Sequence, residues 1–264
     1  MRPLVAVRRA VEFEPRFLES DPLFWPLARA ARALGPHDDF PPVEAFGKVF
    51  EGDPPVRFVA PSPRRRRGSP VDVRALYDAR ITIERAVPTR PRCWHDLMNA
   101  LVWGTFPKAK LALHARQHRL IAERIGPDAR GLPPRSPQLD ALALLDEGGI
   151  VVMASDPGTA QVSLRTGGAG TLGTMVESGR ADALVFGHAI YESVALGVKP
   201  AVVAAVVLDR EGWHGDLVGA ADHALSVALR EGRQLGSPRD LTRVEAAEAR
   251  PGWTRREVRL AKWV

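Results

Sequence analysis

The stretch Trp94-His95-Asp96-Leu97-Met98-Asn99-Ala100-Leu101-Val102-Trp103-Gly104-Thr105-Phe106-Pro107 constrains this chain more than any other. Apolar residues at 94, 97, 98, 101 and 102 fall on one face of a helix. Pro107 stops that helix and suits the first turn of a second one running to about Ile125, where Gly126-Pro127 ends it. His95, Asp96 and Asn99 lie off the apolar face, so one rigid element carries three side chains that can ligate, transfer protons or hydrogen-bond.

Around this corner the pattern is mixed. Residues 11–35 look helical, with Asp21-Pro22 as a start and Gly35-Pro36 as a stop. Val56–Ala60 reads as a strand, and Tyr77–Glu84 alternates weakly enough to suggest another. Leu142–Ala154 reads as a β-hairpin, two apolar runs around Asp146-Glu147-Gly148-Gly149. Residues 155–173 are rich in Gly, Ser and Thr and read as loop. A short helix at 171–178 precedes a buried strand at 183–186. Gly187 then turns the chain into a helix over 188–195 with Gly197 at its end. A buried strand at 202–208 and a helix at 220–229 follow. The helix between the last two strands is barely long enough for a crossover. The expected fold is therefore α+β, a single domain over 1–264 with a mixed sheet, one hairpin and flanking helices, and α/β is the alternative. Residues 11–55 could form a small helical lobe.

At 264 residues, 45% hydrophobic and 26% charged, the composition is that of an ordinary globular chain. No apolar run approaches the roughly 20 residues of a membrane span. The first ten residues lack the apolar core of a secretory signal, so a cytoplasmic location is expected. One cysteine, Cys93, excludes an internal disulfide framework and a cysteine-rich zinc site, so a metal would need His, Asp and Glu. The net charge of +6 invites a nucleic-acid reading. Yet only five of the 37 basic residues are lysine, and the wealth of Arg, Ala, Gly and Pro is what a GC-rich genome would produce. The concentrated charge, Arg64-Arg65-Arg66-Arg67, sits in a Pro/Ser/Gly loop over 61–70. It is the one candidate nucleic-acid contact.

Four clusters could carry chemistry. They are His95/Asp96 with Asn99, His114 with His118, Asp146 with Glu147, and His188 with Glu192. A spacing of i, i+4 puts two side chains on one helix face close enough to grip one ion. His188 and Glu192 have the better context, because their helix opens directly after a buried strand. His114 and His118 share an apolar stripe, where a histidine satisfied by a core partner is the commoner outcome. The expected metal ligands are His95, Asp96, His188 and Glu192, with His95, Asp96, Asn99 and Glu147 as catalytic candidates. Without thiolate the ion would be zinc, manganese or iron. The corresponding activity is a metal-dependent hydrolase, with a phosphoester as one candidate substrate. The competing reading is a non-enzymatic scaffold whose His-Asp-Asn-Glu network ties helix to helix.

The run Trp94–Lys110, with Asp140-Ala141-Leu142, Asp146-Glu147 and Phe186-Gly187-His188-Ala189-Ile190-Tyr191-Glu192, resembles a bacterial family catalogued as domain of unknown function three-zero-two-five. The likeness extends over about residues 20–210. The family pattern has Asn where Cys93 stands, and its Asn-x-Arg-His aligns a histidine with Gln117 or His118. The arginine run looks like an addition. The resemblance brings no activity with it.

Overall fold

The computed structural model describes residues 12–61, 71–126, 129–198, 202–210, 215–232 and 234–249. The arginine run 64–67 lies outside the described residues.

The expected helical corner forms as α4, Trp94–Thr105, and α5, Pro107–Ala122, with Pro107 opening the second. Periodicity understates the first. Besides the apolar face, Asp96, Asn99, Ala100 and Trp103 of α4 are buried. The helix runs through the interior, with neighbours on every side. Gly104 lets it approach the turn Val43–Val49, because a Cβ there would collide with the Val49 carbonyl. Upstream, the expected helical region 11–35 is three short pieces. α1 spans Phe17–Ser20, a 3-10 turn spans Pro22–Leu27, and α2 spans Ala28–Leu34 and ends at Gly35 with φ +88°.

Tyr77–Glu84 is a helix, α3, and not a strand. Ala79 and Ile81 are its buried residues, and the weak alternation is incidental. The hairpin expected over 142–154 is also corrected. Pro137–Gly148 is a helix, α6, and Gly149–Ala154 is a strand, β3. The Ser136 hydroxyl accepts from Leu139 N and Pro137 occupies the first turn, which together start the helix. Leu142 and Leu145 face the core, whereas Leu144 is 47% exposed, a helical rather than an extended distribution. Likewise 157–166, expected as loop, is helix α7, capped by the Asp156 carboxylate on Thr159 N. In the glycine-rich segment after it, Gly170 N and Gly173 N donate to the Glu248 carboxylate.

The remaining elements are α8 (Thr171–Glu177), β4 (Ala181–Val185), α9 (His188–Ala195), β5 (Val202–Asp209), α10 (Leu217–Glu231) and β6 (Thr242–Glu245). The sheet has the order β4-β3-β5-β6. β3 pairs with β5 in parallel, while the β3–β4 and β5–β6 pairs are antiparallel. β4 and β5 are thus separated by β3, so the strand-helix-strand segment over 183–208 is no parallel crossover unit. Arg57–Val59 (β1) and Ala86–Pro88 (β2) form a separate parallel pair. The class is α+β, as the mixture of elements implies. A continuous core joins the N-terminal helices, α4 and the sheet.

Candidate functional site

The end of α6, the start of β3 and the start of α9 meet at one backbone junction. Phe186 N and Gly187 N both donate to the Gly149 carbonyl, at 2.9 Å each. A Cβ on residue 187 would collide with the backbone of Glu147, Gly148 and Gly149. Glycine is required there, and it seats the first residue of α9 directly beside the last turn of α6. His188 therefore lies against Asp146 and Glu147. α9 packs on α4, which brings His95 to the same point.

The geometry is convergent. His95 Nε2 and His188 Nε2 face each other at 3.0 Å. Glu147 Oε2 stands 3.5 Å from His188 Nε2. Among the described residues, His95, Glu147 and His188 are the group whose ligand atoms all lie within 4.8 Å of one another. Each imidazole has a carboxylate behind it. His95 Nδ1 is 2.8 Å from Glu192 Oε2, and His188 Nδ1 is 4.0 Å from Asp146 Oδ1. Asp146 in turn holds the Lys110 ammonium at 2.5 Å, with Lys110 completely buried. The string Glu192–His95–His188–Asp146–Lys110 runs from the surface into the core.

Its electrostatics are graded by depth. Burial pushes the His188 imidazole down to about 3, so it is neutral at ordinary pH. His95 is pushed up, first by its hydrogen bond to Glu192, and burial only partly offsets this. Burial would raise the Asp146 carboxyl, but the positive charge of Lys110 beside it, with its hydrogen bond, holds it well below the usual range. Glu147 is raised, by burial and then by Asp146 beside it. The side chain of Glu147 is 53% exposed while that of His188 is 4% exposed, so the cluster opens to solvent on the Glu147 side.

The other sequence candidates go elsewhere. Asp96, expected beside His95 as a ligand, turns away. It takes the Arg90 guanidinium at 2.6 Å and the Arg90 backbone N–H at 2.5 Å. Burial raises its carboxyl, yet these Arg90 contacts outweigh that and keep it below its ordinary value. Adjacent helix positions point about 100° apart, and the loop before α4 supplies the cation that claims Asp96. Asn99 donates to the Tyr77 hydroxyl at 3.3 Å and is not among the converging groups. Glu192 is placed to orient His95 and stands outside the converging trio. His114 is buried, with Nδ1 on Asp78 at 2.8 Å and its ring stacked on Trp103. His118 is only half-buried. Burial raises the Cys93 thiol, which disfavours the thiolate a nucleophile needs. Lys110 was missed. Its signal was a charged residue one turn before His114 in the same helix.

An α+β protein with a half-open His/Glu cluster at the junction of a strand and two helices is the class these features define. The chain belongs to the family described as Protein of unknown function (DUF3025), whose profile matches residues 65–258. That span includes α4, α6 and α9, and with them every residue of the cluster. No curated protein matches the chain, and no solved structure matches it.

Proposed function

We propose that this protein is a metal-dependent hydrolase-like enzyme whose single divalent ion, zinc, manganese or iron, is held by His95, His188 and Glu147. The observation that carries this reading is the pair of imidazole Nε2 atoms facing each other at 3.0 Å with a carboxylate oxygen alongside. Ligands at 2.0–2.1 Å around a tetrahedral ion sit about 3.3 Å apart, so the side chains already have nearly the right bite. The Glu192 carboxylate on His95 Nδ1 is the usual second layer of such sites, fixing the tautomer and the ring plane of that ligand, while the Asp146 carboxylate stands 4.0 Å behind His188. Two His and one Glu with a solvent-facing side leave a position for water, as catalytic rather than structural sites do. The ion supplies the Lewis acidity that makes water a competent nucleophile near neutral pH. Glu192 orients His95, and the Lys110–Asp146 pair supports His188 from inside.

The test is elemental analysis of untagged protein, before and after incubation with zinc, manganese or iron(II). Near one equivalent of one metal is expected, and His188→Ala should lose it. Less than a tenth of an equivalent after reconstitution sinks the reading. The scaffold reading rests on the same 3.0 Å contact, since a protonated His95 could donate to the neutral His188 and close a hydrogen-bonded chain without any ion. In that case His95→Ala lowers stability and changes no metal content.

A further inference from the structure

A cleft of about 960 Å³ opens beside the cluster. One wall is a stripe of α6, from Asp140 through Ala143 and Leu144 to Glu147, at i, i+3, i+4 and i+7. Those two turns span about 10 Å along the helix. The candidate metal ligand Glu147 therefore stands at one end of a channel and Asp140 at the other. Ile190 of α9 and Val203 and Leu241 from the sheet side make the rest largely apolar.

Four charged side chains line this cleft, Arg135, Asp140, Glu147 and Arg243, and they are not equally free. Arg135 Nε pairs with Asp140 Oδ1 at 3.0 Å, which neutralises the far end. Glu147 is committed to the cluster. What remains is Arg243, exposed on β6 and without an ion pair among the described residues. Strand register locates it. Arg243 is opposite Ala204, and Ala204 is opposite Gly149, two residues past Glu147. Two strand spacings put the Arg243 backbone roughly 10 Å from Gly149. A guanidinium at that position meets a carboxylate or a phosphate in a bidentate fork.

We propose that this cleft binds the substrate of the His95/His188/Glu147 centre. The substrate is a small molecule with an apolar body lying along Leu144 and Ile190. It carries one anionic group, carboxylate or phosphate, on Arg243, and its reacting end is at Glu147. The assignment of the reacting end rests on the metal-centre reading. The binding of an anionic apolar molecule does not, and it is testable in protein freed of metal.

The experiment is calorimetric titration of metal-free protein with octanoate, octyl phosphate, octanol and octyltrimethylammonium, each below its micelle concentration. One of the two anions should bind about tenfold more tightly than octanol, the worth of one charge-assisted contact. Which anion does so identifies the headgroup. Arg243→Ala should bring that anion to within about threefold of octanol, and Arg243→Glu should favour the cation. Leu144→Asp should weaken the anion and octanol alike. Both side chains are exposed, so the variants should fold as the wild type does. Equal binding of anion and octanol overturns the proposal, as does a preference that survives Arg243→Ala. A dimer in sedimentation velocity that Leu144→Asp dissociates also overturns it, because a second copy then fills the cleft. Metal content measured on the same preparations separates failure of the centre from failure of the cleft.

Discussion

The interior has two polar regions, one on each side of α4 and α5, and they use the same residue types differently. On the α5 side the buried polar groups tie one element to another. His114 meets Asp78 at 2.8 Å. The Asp222 carboxylate accepts from Ala109 N at 2.8 Å and Lys108 N at 3.3 Å, tying α10 to the first turn of α5. The Arg116 guanidinium caps the carbonyls of Gln234 and Leu235. On the α9 side, His95 also has a carboxylate on Nδ1, but its other nitrogen faces a second imidazole and Glu147. A histidine backed by a carboxylate is therefore no metal signature by itself. The site needs a second and a third donor aimed at the same point, and among the described residues the Gly187 junction provides them.

The contrast can be broken by experiment. The largest effect should come from the pair that joins the two regions. Lys110→Met leaves Asp146 as an uncompensated buried charge and should cost about 3–5 kcal/mol in urea denaturation. A loss below 1 kcal/mol would mean that Asp146 reaches solvent.

Next in size is a pH effect on the α5 side. Burial raises the Asp222 carboxyl from 3.8 to about 6, and the backbone N–H bonds, Lys108 and His223 only partly oppose it. Between those values the folded chain keeps a proton that the unfolded chain has released. The Asp222 contribution to stability is thus greatest near pH 4, falls as pH rises through about 6, and is fully lost above it. The swing is at most about 3 kcal/mol. Asp222→Asn should flatten that part of the stability-against-pH curve, measured relative to wild type.

A carboxylate behind a ligand should matter less than a buried charge. Glu192→Gln should weaken metal binding by about 10–100-fold with little change in stability. His114→Ala is its mirror image. It should cost about 1–2 kcal/mol, because Asp78 loses its partner, and leave metal stoichiometry untouched. Metal loss in His114→Ala, or none in Glu192→Gln, would erase the distinction between the two regions.

The candidate site was legible in its parts. His95, His188 and Glu192 stand out as ionisable residues on a periodic helix or after a strand-to-helix turn, whereas Glu147 was noticed at the turn of an expected hairpin that is the end of α6. Their joint occupancy of one point was not legible, because it depends on a close backbone approach at Gly187. Asp96 was misjudged for a local reason: Arg90, six residues earlier, competes for its carboxylate. The hairpin error has a similar origin. Four apolar residues in a row, Leu142 to Leu145, fit a buried strand and a helix equally well until one knows that Leu144 faces outward.

What the chain determines on its own is the set of its periodic elements. The corner of α4 and α5, the helix after Gly187 and the buried strands follow from spacing, proline and glycine, since those act within a few residues. Tertiary packing alone decided that α4 is buried nearly all round and that His95 and His188, 93 positions apart, meet at 3.0 Å. Side-chain convergence across that separation depends on how helices seat against a sheet, and that is set by contacts no local pattern encodes.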